Sequence, residues 1–339
     1  MAKAIVLLSG GLDSTLAVLL LRRQGIEVTA VTFLMYFGCD MSDSASCTTD
    51  ATSLASRFGF TLKLCHLADK FTEIVKNPKF GHGKNMNPCI DCRILMLKEA
   101  KELMRMSGAD FIATGEVLGQ RPMSQRRDTF PRIDREADLE GLVLRPLSAK
   151  HMKPTKPELE GLVDREQLLD FAGRGRRPQM ALAEEFGLTE YPAPAGGCLL
   201  TDPNFSYRLK ELLEHNPDPS LKELHLLKVG RHFRRPGPGI EKFIVGRDEA
   251  ENNRIQALAE PGDLIMDVVD IPSPLTLMPA SATEDEVAFA ATVCARYSDS
   301  NGSDEVEVSI MDGVHERRIK VEPARDEELS SIRINKQKQ

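Results

Sequence analysis

The chain has 339 residues, of which 41% are hydrophobic and 5% aromatic, and its formal net charge is -7. This length is sufficient for two domains, and no apolar run approaches the roughly 20 residues of a membrane span. An apolar run already begins at Ile5, so we expect no secretory signal peptide. Seven cysteines without such a signal favour a cytoplasmic setting and metal or catalytic use over disulfides. The acidic balance does not exclude a nucleic-acid partner, because arginines cluster locally.

Residues 5–15 read IVLLSGGLDST and predict a strand, a tight turn and the start of a helix. The apolar start is typical of a strand buried in a parallel sheet. Asp13, Ser14 or Thr15 is available to cap the helix that follows. Such a turn leaves backbone N–H groups free at a helix N-terminus, which is a ready site for an anion. The spacing matches neither a Walker A loop nor a dinucleotide-binding fingerprint.

The next 190 residues or so alternate between strand-like and helical patterns. The predicted strands cover 28–33, 61–67, 111–114 and 142–147, and the predicted helices cover 51–58, 95–106, 166–171 and 180–186. This rhythm predicts a parallel α/β sheet, whose ligands bind beyond the carboxyl ends of the strands. We therefore expect the Ser9 turn, Phe33 and Gly115 to line one crevice. The arginine-rich stretch 120–135 is predicted to be a mobile basic loop, and 174–177 holds a second basic group.

The pattern changes after the turn-rich segment 215–220, where an α+β unit is predicted. Its strands are predicted at 242–245, 264–269 and 305–310, and its helices at 248–258 and 284–294. A basic face is predicted from Lys228, Arg231, His232, Arg234, Arg235, Lys242 and Arg247. We predict four segments: a first domain at 1–203, a helical linker at 204–224, a second domain at 225–325 and a flexible charged tail at 326–339.

Three cysteines are candidates for chemistry. Cys89 and Cys92 stand in NPCIDC at a predicted helix start, where the helix dipole favours thiolates. One CxxC pair alone is compatible with a redox pair, half a zinc site or part of an iron–sulfur site. Cys198, in a Gly-Gly-Cys loop, is a third thiol, and three thiolates with one open position suit a four-iron cluster. The alternative is that the pair is merely small and buried. The remaining cysteines, which we expect to be structural, are Cys39, Cys47, Cys65 and Cys294.

The motifs SGGLDS, NPCIDC, TGEVLGQRPMSQ, LRPL and GGC together resemble the adenylating PP-loop domain of tRNA 4-thiouridine synthetases over residues 1–203. The tRNA 2-thiouridylases share the PP-loop and an Asn-Pro…Cys loop in which Cys92 aligns with the nucleophilic cysteine. In iron–sulfur members of the wider group, a CxxC pair and a distant cysteine hold a cluster. The resemblance implies an adenine nucleotide alpha hydrolase-like parallel sheet, followed here by a smaller C-terminal α+β domain.

By this resemblance the chain is an ATP-dependent sulfurtransferase that adenylates a uridine carbonyl and replaces its oxygen with sulfur. The implied catalytic residues are Asp13, Cys89, Cys92 and Cys198, and the three cysteines would hold a 4Fe-4S cluster. Asp13 would also help to hold Mg²⁺. The implied contacts to ATP or the reacting base come from Ser9, Gly10, Gly11, Asp13, Ser14, Thr15, Phe33, Gly115, Glu116, Gln120 and Arg145.

Two features of the synthetases are not expected in this chain: an N-terminal RNA-binding region and a persulfide-carrying tail domain. RNA binding is therefore expected in the second domain, where residues 225–295 resemble the NFACT-R domain. The expected partners are tRNA or another RNA and a sulfur donor, either a cysteine desulfurase or hydrosulfide. No membrane partner is expected, and a homodimer is an open possibility. The alternatives are a tRNA 2-thiouridylase, another PP-loop ligase acting on a small substrate such as a carboxylate, and a non-catalytic RNA-binding module.

Overall fold

A computed structural model describes residues 1–38, 51–192, 198–237, 239–300 and 304–336. Its residue contacts divide the chain into two units, Met1–Thr201 and Asp202–Gln339. The first unit is built on a parallel sheet and the second on an antiparallel sheet, which confirms the predicted fold class. Among the described residues, no helix is long and apolar enough to cross a membrane.

The sheet of the first unit has the strand order β3-β2-β1-β4-β5, and each neighbouring pair is parallel. Its strands are β1 (Lys3–Leu7), β2 (Glu27–Leu34), β3 (Thr61–His66), β4 (Phe111–Thr114) and β5 (Val143–Leu144). The helices of this unit are α1 (Leu12–Arg23), α2 (Ala51–Phe58), α3 (Ala68–Lys76), α4 (Cys89–Ser107), α5 (Thr129–Glu136), α6 (Lys156–Leu159) and α7 (Arg177–Glu185).

The central strand β1 is buried on both faces and sets the position of the site. Val6 packs into a core with residues of α1 and α7, whereas Ile5 and Leu7 pack into a core with residues of α4 and α5. Successive side chains of a strand point to opposite faces, so helices cover both sides of the sheet. β1 pairs with β2 on one side and with β4 on the other, so the strand order reverses between β1 and β4. Ligands of open parallel sheets bind at such a point, where Ser9 and Gly115 follow the two strands.

Two stretches of the first unit differ from the predictions. α4 begins at Cys89, six residues before the predicted start, so the CxxC pair lies in its first turn. The mobile loop predicted at 120–135 is wrong from residue 129 onwards, where α5 begins. Phe130 and Ile133 of α5 lie three residues apart on one helix face and are buried. Two apolar residues among many charges give too weak a periodic signal to predict this helix.

The second unit contains a six-stranded sheet in the order β11-β10-β8-β9-β7-β6, with antiparallel neighbours. Its strands are β6 (Arg231–Phe233), β7 (Phe243–Val245), β8 (Leu264–Val268), β9 (Thr276–Met278), β10 (Val306–Met311) and β11 (Glu316–Val321). Its helices are α8 (Pro203–His215), α9 (Leu221–Leu226), α10 (Glu249–Leu258), α11 (Glu284–Arg296) and α12 (Asp326–Ile332). α11 buries one face, including Val287 and Cys294, in the core of this sheet.

The end of the second unit is ordered as far as it is described, which corrects the flexible tail predicted from residue 326. Residues 326–332 form α12, and its Leu329 and Ile332 are buried in the core. The Ile334 backbone N–H then donates to the His232 carbonyl at 2.9 Å, so the chain pairs with β6. The apolar positions here are few and spaced by charges, and their burial depends on a strand about 100 residues away in the sequence.

His232 of β6 is buried with 1% exposure, although the sequence predicted it on a basic face. Its Nε2–H donates to the Val229 carbonyl at 2.9 Å, whereas Nδ1 has no partner among the described residues. Burial, and then the charges of Lys242 and Arg208, hold the pKa of His232 well below its usual value. A proton on this ring therefore destabilises the folded state.

We expect the second unit to lose stability as the pH falls below about 6.5, because the unfolded chain then binds a proton that the folded chain refuses. The decrease in the free energy of unfolding that this residue causes approaches about 1.4 kcal/mol per pH unit. Denaturant unfolding between pH 7 and 5 measures it, with His232→Gln expected to flatten the pH dependence. The matched control is His315→Gln, an exposed histidine of the same unit. Equal slopes in the wild type and the His232 variant would contradict the assignment.

Candidate active site

The turn after β1 folds back on itself and leaves the start of α1 open. Gly10 has a φ of 73°, a left-handed conformation that favours glycine. The Ser14 hydroxyl accepts from the Ser9 backbone N–H at 3.1 Å and donates to the Gly11 carbonyl at 2.9 Å. Gly11 is the N-cap of α1 and no side chain caps the helix, so the cap predicted from residues 13–15 is wrong. Uncapped N–H groups at the positive end of a helix are available to an anion.

Asp13, in the first turn of α1, has one carboxylate oxygen engaged and one not. Its Oδ2 accepts a hydrogen bond from Gln120 Nε2 at 3.0 Å. Its Oδ1 is buried and has no hydrogen-bond partner among the described residues. A buried carboxylate oxygen without a partner is unfavourable, and hard divalent cations prefer such oxygens. The geometry therefore fits Asp13 as a Mg²⁺ ligand, with Gln120 fixing the orientation of its carboxylate.

Gly115, which follows β4, lies directly against the backbone of α1. A Cβ at this position would come within 2.5 Å of the Cα and N atoms of Ser14 and within 2.6 Å of the Asp13 carbonyl carbon. Only glycine allows two backbone segments to approach this closely. Phe33, at the end of β2, packs its half-buried ring against the core beside Val31. The ends of β1, β2 and β4 are thus adjacent, and Gly115 brings β4 into contact with the turn after β1 and the start of α1.

A buried charge network corrects the role predicted for Arg145. Its Nη1 and Nη2 donate to the two carboxylate oxygens of Asp134 at 2.9 and 2.7 Å, and its Nε donates to Glu116 Oε2 at 3.2 Å. The guanidinium also stacks on the Phe130 ring, 4.1 Å from its centroid, and the residue is 3% exposed. Arg145 is therefore committed to protein carboxylates, and the predicted phosphate contact is not supported. Glu116 also forms an ion pair with Arg93, at 3.4 Å between Oε1 and Nε.

The segment that carries Cys198 is fixed beside the CxxC loop by hydrogen bonds to the backbone. The Met86 N–H donates to the Leu200 carbonyl at 3.2 Å, and Asn85 Nδ2 donates to the Thr201 carbonyl at 2.8 Å. On the CxxC side, the buried Asp91 carboxylate accepts the backbone N–H groups of residues 79 and 80 at 3.0 and 3.1 Å. These contacts order both sides of the thiol group before any ligand is considered.

The thiols of Cys89, Cys92 and Cys198 lie close enough for their charges to influence one another. Burial, opposed by the charge of Arg93 and assisted by the neighbouring Cys198 and Cys89, raises the pKa of Cys92 to about 12. Burial also raises the pKa of Cys89, although the charges of Arg93 and Arg121 act in the opposite direction. Burial likewise raises the pKa of Cys198. All three are thus protonated at neutral pH, and Arg93 is the cation that partly offsets this.

The three thiols match the predicted iron–sulfur cluster in chemistry but not in placement. Three cysteines are the right donors in kind, because a cluster is held by thiolates. Within the described ranges, however, no three metal-ligating side chains are placed to hold an ion. Burial also opposes the deprotonation that metal binding requires. As placed, the thiols do not form a metal site, and the cluster stays a prediction.

The other cysteines fall into two groups. Cys39 and Cys47 lie outside the described residues. Cys294 is fully buried in the second unit, and Cys65 is half-buried against the core of the first. Both positions agree with a structural role.

Three residues of the site were missed by sequence reasoning: Arg93, Asn85 and Asp134. Arg93 directly follows Cys92, and a cation beside paired thiols is a signal that the sequence does offer. Asn85 and Asp134 carry no such signal, because their partners lie 116 and 11 positions away. Their roles follow from the fold and from no local motif.

Two parts of the chain each match the model of a known protein family. Residues 1–153 match the family model described as thiamine biosynthesis protein (ThiI). The first unit is therefore similar to the ThiI family over most of its length. The match includes the phosphate-binding turn, the CxxC pair and Gly115, and it ends before Cys198. Residues 230–333 match the model described as NFACT protein RNA binding domain, so the resemblances to both families are confirmed.

Individual relatives extend the similarity beyond the residues that the ThiI model matches. The tRNA-specific 2-thiouridylase MnmA of Thermus thermophilus is 27% identical over 290 residues, which cover 74% of this chain and 72% of that protein. MnmA of Clostridium kluyveri is 34% identical over 131 residues, 34% of this chain and 36% of that protein. A solved 4-thiouridine synthetase in complex with RNA and ATP aligns at a TM-score of 0.34 and 21% identity, over 56% of this chain and 54% of that chain. At that score the structural likeness carries no weight.

Proposed function

We propose that the protein is an ATP-dependent tRNA sulfurtransferase, which adenylates a uridine carbonyl oxygen and then replaces that oxygen with sulfur. The observation that carries the proposal is that one domain holds both halves of this chemistry. It has an uncapped helix start beside a buried carboxylate oxygen without a partner, and it has three thiols ordered beside one another. An AMP-transferring ligase needs only the first of these, and a redox protein needs only the second.

In the first step, the uridine oxygen attacks the α-phosphorus of ATP, and pyrophosphate leaves. The turn after β1 binds the phosphates through its backbone N–H groups and hydroxyls, which belong to Ser9, Gly10, Gly11, Ser14 and Thr15. Asp13, whose Oδ1 is buried without a partner among the described residues, would hold Mg²⁺, which would supply positive charge to offset the charge developing on the pyrophosphate. The product is an O-adenylated base, in which AMP is a good leaving group.

In the second step, sulfur displaces AMP from the activated carbon. A persulfide on one cysteine supplies it: the terminal sulfur attacks the base, the carbon–oxygen bond to AMP breaks, and a second cysteine then attacks the carrier sulfur. This releases the thiolated base and leaves a disulfide, which a dithiol reductant must reopen before the next cycle. Arg93 favours the thiolate forms of Cys89 and Cys92 against the effect of burial.

A cluster on Cys89, Cys92 and Cys198 is the second form that the sulfur step can take. Three cysteines are the kind of donor that such a cluster takes, although the thiols as placed do not form a metal site among the described residues. Iron analysis of anaerobically purified protein separates the two forms. About four irons per chain would support the cluster. Iron-free protein that thiolates tRNA would establish chemistry on cysteine alone.

The proposal is tested by mass spectrometry of tRNA nucleosides from cells that lack the gene. We expect one thiolated uridine to disappear and to return with the wild-type gene but not with Asp13→Asn. Loss of 4-thiouridine agrees with the ThiI-family match, and loss of 2-thiouridine agrees with the similarity to MnmA. Unchanged thionucleosides would overturn the proposal. Pyrophosphate release with a small carboxylate would indicate a ligase, and no release with any uridine-containing RNA would indicate a non-catalytic module.

A further inference from the structure

The basic face predicted on the second unit is largely neutralised in the structure. His232 is buried, and Lys242 and Arg234 both pair with Glu211, at 3.5 and 2.5 Å. Arg235 pairs with Asp285 at 2.6 Å. Cations already bound to carboxylates contribute little to the attraction of a polyanion. These paired residues therefore offer little free positive charge to RNA.

Four arginine side chains lie near one another in the second unit, and we call them the arginine cluster: Arg208, Arg231, Arg247 and Arg333. They come from α8, from β6, from the residues after β7 and from the residues after α12. The sheet register brings three of them together, because Phe233 pairs with Arg333 while Arg231 pairs with Val245, two residues before Arg247. Two of the four, Arg208 and Arg333, lie outside the face that the sequence predicted.

The side-chain partners of the arginine cluster leave most of its charge uncompensated. Arg208 Nη1 donates to the Leu227 carbonyl at 3.1 Å, and its Nε is buried without a partner among the described residues. Arg231 Nη1 donates to the Gly246 carbonyl at 2.7 Å, and its guanidinium lies over the Tyr297 ring at 4.4 Å. Carbonyls and rings orient a guanidinium but remove no charge.

Only Arg247 of the four has an ion pair within the described part of the chain, with Glu251. The exposed side chain of Arg333 forms no hydrogen bond or ion pair there. Beyond Glu251, the carboxylates that act on the cluster are Asp202, on Arg208, and Asp248, on Arg247. Burial, followed by the charges of Arg247 and Arg333, lowers the pKa of Arg208 to about 10. The positive charges therefore repel one another, and a bound anion would relieve that repulsion.

We propose that the arginine cluster binds the phosphodiester backbone of RNA and anchors the tRNA substrate of the reaction proposed above. The inference rests on that proposed function for the identity of the RNA, and on the cluster for the location of the site. Guanidinium groups match the oxygens of phosphates through paired N–H donors. Contacts to phosphates carry no sequence information directly, so a site of this kind selects for charge and shape, not for sequence.

Binding of an unmodified tRNA transcript to the full-length protein, measured without ATP over a range of salt concentrations, tests the proposal. Arg333→Gln, an exposed position, is expected to weaken binding about fivefold to tenfold and to lower the salt slope by about one. Arg208→Gln with Arg333→Gln is expected to weaken it about fiftyfold. Arg317→Gln is the matched control, because it removes one exposed, ion-paired arginine of the same unit, and a change below about twofold is expected.

The readouts separate this inference from the proposed function. Thermal melting shows whether each variant is folded, and Arg333→Lys is expected to restore most of the affinity by restoring the charge. Wild-type affinity and salt slope in the folded double variant would overturn the inference, even if the protein thiolates tRNA. If the double variant loses binding to poly-glutamate but keeps binding to tRNA, the partner is an acidic polypeptide and the inference is also wrong. Loss of tRNA binding in a protein that produces no thionucleoside would uphold the site and overturn only the reaction.

Discussion

Gly115→Ala is expected to lower ATP-dependent pyrophosphate release by more than about 100-fold. The added methyl group would lie 2.5 Å from backbone atoms of Ser14, and backbone cannot move aside as a flexible side chain can. Either α1 or β4 must shift, and a displacement of about 1 Å at a catalytic constellation is sufficient for a loss of this size. Pyrophosphate release with tRNA and ATP, measured on protein shown to be folded, gives the result.

Gly175→Ala is the matched control for this substitution. A Cβ at Gly175 would meet nothing within 4 Å, and its backbone is not in the left-handed region. The same chemical change at this position should leave pyrophosphate release near the wild-type rate. Wild-type activity in Gly115→Ala would show that the close approach is not required for adenylation.

Cys198→Ser is expected to reduce thionucleoside formation by more than about 100-fold while pyrophosphate release persists, because the thiols act only after adenylation. Cys92→Ser should behave in the same way. Cys65→Ser, which alters a half-buried cysteine outside the proposed thiol group, should retain both activities. Liquid chromatography with mass spectrometry of the tRNA product, run beside the pyrophosphate assay, measures the two steps separately.

Cys89→Ser adds information about the form of the sulfur step. A persulfide mechanism on Cys92 and Cys198 would survive this change in part, whereas a cluster held by all three cysteines would not. Equal loss of pyrophosphate release and of thiolation in Cys198→Ser would indicate a structural role and would count against the proposed division of labour.

The parts of the site that the sequence predicts are those written in short, continuous motifs. The phosphate-binding turn depends on seven consecutive residues after a buried strand, so local pattern determines both its fold and its position. The helix that carries Cys89 and Cys92 was also predictable, although its start was placed too late. The proximity of Cys198 could be inferred only from the resemblance, because Asn85 and Met86 fix its segment through long-range hydrogen bonds.

The parts that could not be predicted depend on partners distant in the sequence. Arg145 at the end of a strand looks like a phosphate ligand until Asp134 is brought to it by α5, a helix with little apolar periodicity. His232 lies in a run of basic residues, yet a three-residue strand carries it into the interior. Arg208 and Arg333 of the arginine cluster are 125 positions apart in the sequence, so no local pattern could predict that they lie near each other.

Two consecutive residues after β4, Gly115 and Glu116, connect the two halves of the site. Gly115 touches the backbone at the start of α1, and the next residue, Glu116, forms the ion pair with Arg93 that lies beside the thiols. We therefore expect a shift of α1 to move Glu116 and, through it, Arg93, the cation that lowers the pKa of Cys89 and Cys92 against the effect of burial. Thermodynamic linkage would make such a coupling reciprocal, so we expect the redox state of the cysteines to change the affinity for ATP.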